Sequence, residues 1–310
     1  MAALALIASM TNALQARVNG AASDQVGNPA IAAMMSVGGG LCVAIVIVLL
    51  IPTIRARLVI LWKQKSSIKL SPWQYFAGFG GGIFILGQAL IVPVFGVAIY
   101  IIAVVAGQTI ASLLVDHFGI GPAGKKRVTA LRTLAALLAT IGVVVSATGK
   151  AEASALIIPA VLYGFAAGVA TAVQYALNGK LALEFQSTLI TSSLNFLMGF
   201  SLLSVVLLIA LGTGVWKLDS PPSLIEQPWL WLGGVLGLIF IASAAFFVKR
   251  LGILLFAVVS VLGQLFGALL LDVFFPTSGN SVTVFMLIGL GITVIGVLAA
   301  TMSTNPPKSS

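Results

Sequence analysis

Ten stretches of about 20 mostly apolar residues follow one another through the chain, with short polar segments between them. They run at roughly 2–22, 29–52, 73–93, 95–118, 128–148, 154–178, 187–211, 229–248, 251–273 and 281–302. Each is long enough to cross a hydrocarbon layer as a helix. Lipid offers a backbone no hydrogen bonds, so such a segment must satisfy its own N–H and C=O groups. The spacing therefore predicts an all-α polytopic membrane protein with ten transmembrane helices. The longest loops, near 53–72 and 212–228, are too short to build a core of their own. Composition agrees: 7% of residues are charged, against roughly 25% in an average soluble domain.

The net charge of +9 does not mark a nucleic-acid partner, because the cations lie in short loops between apolar runs. Their distribution is a topology signal. With the N-terminus in the cytoplasm, that side receives Arg55, Arg57, Lys63, Lys65, Lys69, Lys125, Lys126, Arg127, Arg132, Lys180, Lys249, Arg250 and Lys308. The outer side receives Arg17, Lys150 and Lys217. Thirteen cations against three predict both termini inside. Membrane lipids are then the chain's surroundings. Met1 is followed by no basic segment of the kind that opens a cleavable leader. Cys42 is the single cysteine and His117 the single histidine, so neither a disulfide framework nor a Cys/His metal cluster is expected. No cofactor is implied.

The chain also repeats itself. Sliding residues 72–118 over 228–274 needs no gap, and about 17 of the 47 positions are identical. Matches include Gly78 with Gly234, Ile83-Phe84-Ile85 with Ile239-Phe240-Ile241, Gly107-Gln108 with Gly263-Gln264, and Asp116 with Asp272. Further upstream, Gln15-x-x-x-Asn19-Gly20 matches Gln174-x-x-x-Asn178-Gly179, and Ser36 falls opposite Asn195. Each half holds five runs, and an odd number makes the halves enter the membrane in opposite directions. The expected organisation is a first five-helix repeat at 1–150, a second, inverted one at 151–303 and a polar, disordered tail at 304–310. A fused double-length chain of this kind can act as a monomer, and a homodimer stays open.

Five plus five helices, with Q-x-x-x-N-G in the first helix of each half and G-Q-x-x-x-x-x-L-x-D in the fourth, resemble the drug/metabolite transporter superfamily. Within it the chain is most similar to the YdcZ-type group in its fused, ten-helix form. The resemblance covers nearly the whole chain. It implies a carrier of the bacterial inner membrane, an exporter of small molecules or metabolites, and it leaves the substrate open. One departure stands out. Small multidrug-resistance relatives carry a glutamate in the first helix, where this chain has Gln15 and Gln174.

Polar side chains inside a bilayer are costly unless paired or facing a cavity. Asn12, Gln15 and Asn19 share one face of the first helix; Thr171, Gln174 and Asn178 share the matching face of the sixth. Gln108, Ser112 and Asp116 form a second stripe, with Ser260, Gln264 and Asp272 as its counterpart. Two readings hold for the amides. Gln15, Asn19, Gln108, Gln174, Asn178 and Gln264 line a substrate path, or they bond neighbouring helices together. Asp116 and Asp272, near helix ends, either bind a proton or cation as a coupling ion or serve as helix caps and ion-pair partners. Arg17, with Ala176 in its place in the second half, either snorkels to the interface or meets an anionic substrate.

No phosphate loop, zinc pair or nucleophile elbow is present in the sequence, so an enzyme is not expected. The expected function is secondary transport of a small-molecule substrate by alternating access. The alternatives are a flippase for lipid-linked substrates and a non-transporting membrane subunit of the same fold.

Overall fold

The computed structural model describes residues 1–63, 68–122, 124–125, 128–151, 155–218, 220–251, 253–276 and 282–302. The expected tail 304–310 and the loop cations Lys65, Lys126, Arg127 and Lys308 lie outside them. Among the described residues the chain is helical, with no strand. The α-helices are α1 (Ala2–Val26), α2 (Pro29–Leu50), α3 (Pro52–Lys63), α4 (Gly78–Phe95), α5 (Val97–Phe118), α6 (Ala130–Ala151), α7 (Ile157–Phe185), α8 (Thr188–Gly212), α9 (Gly233–Leu251), α10 (Ile253–Phe274) and α11 (Val284–Met302). Short 3-10 helices, Pro72–Ala77 and Pro228–Trp231, lead into α4 and α9.

Local chemistry sets several boundaries. Asn28 caps α2 through its side-chain oxygen, which accepts from the backbone N–H groups of Ala30 and Ile31, and Pro29 follows at the first helical position. Ser187 caps α8 in the same manner. Gly27, at φ 71°, ends α1 in the left-handed region that a glycine adopts without strain.

Six segments are each long and apolar enough to cross a membrane: Pro29–Leu50, Pro72–Phe95, Val97–Phe118, Ala130–Thr148, Ile157–Phe185 and Thr188–Gly212. Shorter apolar stretches occupy Gly233–Ala244, Val258–Phe274 and Val284–Ala299. The first helix is interrupted by Asn12, Gln15, Arg17, Asn19 and Asp24.

The major packing pairs join the two halves. α1 lies on α9 and α10, α7 on α4 and α5, α2 on α8, and α6 on α11. α5 is deeply enclosed, with every residue from Val97 to Gly107 buried.

α3 was not expected, because the 53–72 stretch reads as a loop by length alone. Its Ile54 and Leu61 pack against the buried cluster of Leu177, Leu181 and Phe185 at the end of α7. Arg57 Nε donates to the Phe185 carbonyl at 2.9 Å, placing a cation on the last turn of α7. Leu58, Val59 and Trp62 stay exposed beside Arg55 and Lys63. That is the surface of a helix lying in a membrane interface.

Candidate functional site

A cavity of about 320 Å³ lies between the halves. Its deep end is built from sequence-matched pairs: Gln15 with Gln174, Gly81 with Gly237, Phe84 with Phe240, and Ile85 with Ile241. Val37 and its counterpart Phe196 complete that end. From there the lining departs from symmetry. It continues along α7 through Asn178, Gly179 and Ala182, and along α8 through Asn195, Ser192 and Thr191. It ends at Thr188, which is exposed at the α7–α8 corner.

The counterparts of that outer stretch are not part of this lining. Asn19, Gly20, Ser23, Ala33 and Ser36 are all buried. Asn19 Nδ2 donates to Gln88 Oε1 at 2.6 Å, joining α1 to α4. Val92 of α4 closes on Gly20, where a Cβ would meet its Cγ1 at 2.7 Å. Gly233 covers Asn19 and Ser36, leaving no room for a side chain of its own. On the other side Asn178 accepts from Asn195 Nδ2 at 2.8 Å, a bond between α7 and its neighbour α8. It therefore leaves α9 unengaged. α1 packs along α4, whereas α7 and α9 share no comparable seam among the described residues.

The amides thus take three different positions. Gln15 and Gln174 face the cavity while being 4% and 8% exposed, and neither has a hydrogen-bond partner among the described residues. Each rests on a glycine of the opposite half: Gln15 Nε2 lies 2.9 Å from where a Cβ on Gly237 would sit, and Gln174 Nε2 lies 3.0 Å from that of Gly81. Asn178 lines the cavity with one of its groups engaged. Asn19 is sealed away. Gln264 accepts from Asn12 Nδ2 at 2.9 Å and donates to Ser260 Oγ at 3.3 Å, tying α10 to α1. Gln108 is outside the lining, on the side of Tyr175, which is part of it.

A family model described as "Putative inner membrane exporter, YdcZ" matches residues 1–145 and 159–299. The chain belongs to this family. Comparison with curated proteins finds no match. The two matched segments of the YdcZ family model cover both sets of cavity residues, from Asn12 to Ile241.

Among the described residues of this YdcZ-family chain, no charged side chain is part of the cavity lining. Asp272, 6% exposed, accepts from the backbone N–H groups of Val97 (2.9 Å) and Ala98 (2.8 Å). It thereby caps α5, where the helix dipole favours an anion. Asp116 pairs with Arg132 at 2.6 Å. Arg17 reaches the Pro276 carbonyl at 3.5 Å on the exposed surface. Among the described residues no group of three or more His, Cys, Asp or Glu side chains is arranged to hold a metal.

Gln88 was absent from the sequence reading. It is a lone amide in an apolar run, and Ala244 stands opposite it in the repeat, so a search for duplicated polar residues passes over it. Tyr175 escaped for another reason: its aromatic ring suits a lipid-facing or interfacial position equally well.

Proposed function

We propose that this chain is a secondary carrier of small molecules that works by alternating access. Its moving parts are two inverted five-helix repeats, 1–150 and 151–303, set in the bacterial inner membrane with both termini cytoplasmic. The observation that carries this reading is the asymmetry of the cavity. Its deep end is formed by repeat-related pairs, yet it continues to the surface between α7 and α8 and is shut at the matching place between α1 and α2. A carrier with two-fold related halves has this form when caught open to one side. The matched helix pairs, α1 on α9 and α7 on α4, support the inverted arrangement. The thirteen-to-three distribution of cations puts the α7–α8 mouth on the cytoplasmic side. The family's description as an exporter fits loading from that side.

Single cysteines at the sequence-matched positions Ala182 and Ser23, in a Cys42→Ser background, test the reading. The Ala182→Cys thiol should react with a membrane-impermeant maleimide from the cytoplasmic face only. The Ser23→Cys thiol should react slowly, and from the outer face only. Labelling of both from one face, or of Ala182→Cys from outside intact cells, overturns the proposal.

A further inference from the structure

The chemistry of the cavity narrows what it can hold, given the carrier reading above. Its described lining offers amides, hydroxyls, glycines and aromatic or aliphatic faces, and no carboxylate, ammonium, guanidinium or imidazole. The two aspartates of the fourth helices are engaged elsewhere, Asp272 on the start of α5 and Asp116 with Arg132. At the deep end, Gln15 and Gln174 are more than nine-tenths buried and hold no bond to any described residue. An amide that lines a cavity without a protein partner keeps both its donors and its acceptor for whatever occupies that space. The glycines beneath them keep the amides where they are: a Cβ at Gly237 or Gly81 would displace the side-chain ends. Phe84, Phe240, Phe196 and Tyr175 supply apolar faces around the same space.

An ion entering this space gives up its hydration and finds no opposite charge, a loss that amides do not make good. A neutral molecule loses less, and its own amide or lactam edge can donate to and accept from a glutamine at once. We infer that the site binds an uncharged small molecule with a flat apolar body and a donor–acceptor edge of the carboxamide kind, held by Gln15 and Gln174. Anionic and cationic forms of the same skeleton are rejected. The quasi-symmetric placement of the two glutamines lets one edge stay bonded while the halves exchange sides.

The test uses the full-length protein in lipid nanodiscs and two sets of matched probes. Nicotinamide, nicotinate and N-methylnicotinamidium share one ring and carry zero, negative and positive charge. Benzamide, benzoate and benzamidinium repeat the comparison. In equilibrium binding with radiolabelled probes, the neutral member of at least one set should bind about tenfold or more tightly than its ions. The double variant Gln15→Leu/Gln174→Leu should lose that binding by about tenfold or more at an unchanged melting temperature. Gly81→Ala/Gly237→Ala, which moves the amides without removing them, should weaken it in the same direction. An ion that binds as well as its neutral partner overturns the inference. So does the absence of saturable binding by either neutral probe, or neutral binding that both double variants leave intact. The cysteine experiment needs no ligand and so separates the two proposals. Opposite-face labelling without neutral binding defeats the substrate class alone. Neutral binding without opposite-face labelling leaves a binding site and defeats the carrier.

Discussion

The same six-residue pattern, Q-x-x-x-N-G, sits in α1 and in α7, yet the two copies live in different surroundings. In α1 the asparagine is wholly buried and bonded to Gln88 of α4, and the glycine is pressed on Val92. In α7 the asparagine lines a cavity and bonds its neighbour α8, and the glycine faces Pro122 of the loop after α5. On the carrier reading proposed above, part of the difference is conformational, one side being open and the other shut. Part is written in the sequence. Gln88 can bridge α4 to α1, whereas Ala244, its counterpart on α9, has nothing to offer Asn178. A repeat that is symmetric in its site and asymmetric in its seams has a preferred resting state. On the alternating-access reading proposed above, the preference is for the α1 side shut.

The largest effect expected from breaking this comparison lies where backbones touch. A Cβ on Gly234 would run into the Ser36 carbonyl and the backbone of Gly40, which cannot swing aside as a side chain does. Gly78 stands in the same relation to Asn195 on the open side. Gly234→Ala and Gly78→Ala should each cost about 3 kcal/mol, the upper range for overpacking. A lowered melting temperature and loss of monodisperse protein in detergent would register it. If Gly234→Ala melts like the wild type, α9 is not locked on α2 and the shut seam is misdescribed.

The aspartates come next, because the repeat treats them unequally too. Asp272 holds two backbone N–H groups in a buried position, and Asp116 shares a partly exposed ion pair. Asp272→Asn should cost about 2 kcal/mol, since it removes charge and one acceptor from a buried cap. Asp116→Asn should cost less than about 1 kcal/mol. Thermal unfolding of the two variants side by side measures the gap. Equal losses would mean that Asp116 also holds something buried.

What the sequence revealed follows the same division. The apolar runs fall on helices, six of them long and apolar enough to cross a membrane, because length and hydropathy act locally. α3 was not legible in that way, since its twelve residues pack against Leu181 and Phe185 far along the chain. The stripe of Asn12, Gln15 and Asn19 was legible as one face. The face was not one environment: Asn12 lines the cavity while tied to Gln264 of α10, Gln15 faces the cavity with no bond to a described residue, and Asn19 is sealed against α4. Periodicity fixes which side chains point the same way. It carries no information about which neighbour stands opposite, and that is what separates a site residue from a tie between helices.

A smaller effect is expected from making the seams alike. Gln88→Ala gives α4 the residue that α9 already has, and removes the bond to Asn19. Interhelical hydrogen bonds of this kind are worth about 0.6–2 kcal/mol. The balance between the two states should therefore shift about 3- to 30-fold toward opening on the α1 side. Maleimide labelling of Ser23→Cys, compared with and without Gln88→Ala, reads the shift as a rate. No acceleration would assign the closure to the Val92–Gly20 and Gly233 contacts instead.

The smallest effect is the reverse change. Ala244→Gln places on α9 the amide that α4 carries at Gln88, aimed by the repeat at Asn178. Copying the residue should not copy the energy. Asn178 Oδ1 already accepts a bond from Asn195, so a new bond to α9 falls to its Nδ2, whose direction the existing bond constrains. In addition, α7 and α9 must first close the cavity mouth, whereas α1 and α4 already touch. The net gain should be about 0.5 kcal/mol, near a twofold change in population. It should appear as slower labelling of Ala182→Cys, with Ser23→Cys labelling slightly faster. Pairing the change with Asn195→Ala frees Asn178 and should enlarge the effect if the two amides compete for it. If Ala244→Gln slows Ala182→Cys labelling as much as Gln88→Ala speeds labelling of Ser23→Cys, the seams are energetically equivalent. The resting preference would then have to come from elsewhere than Gln88.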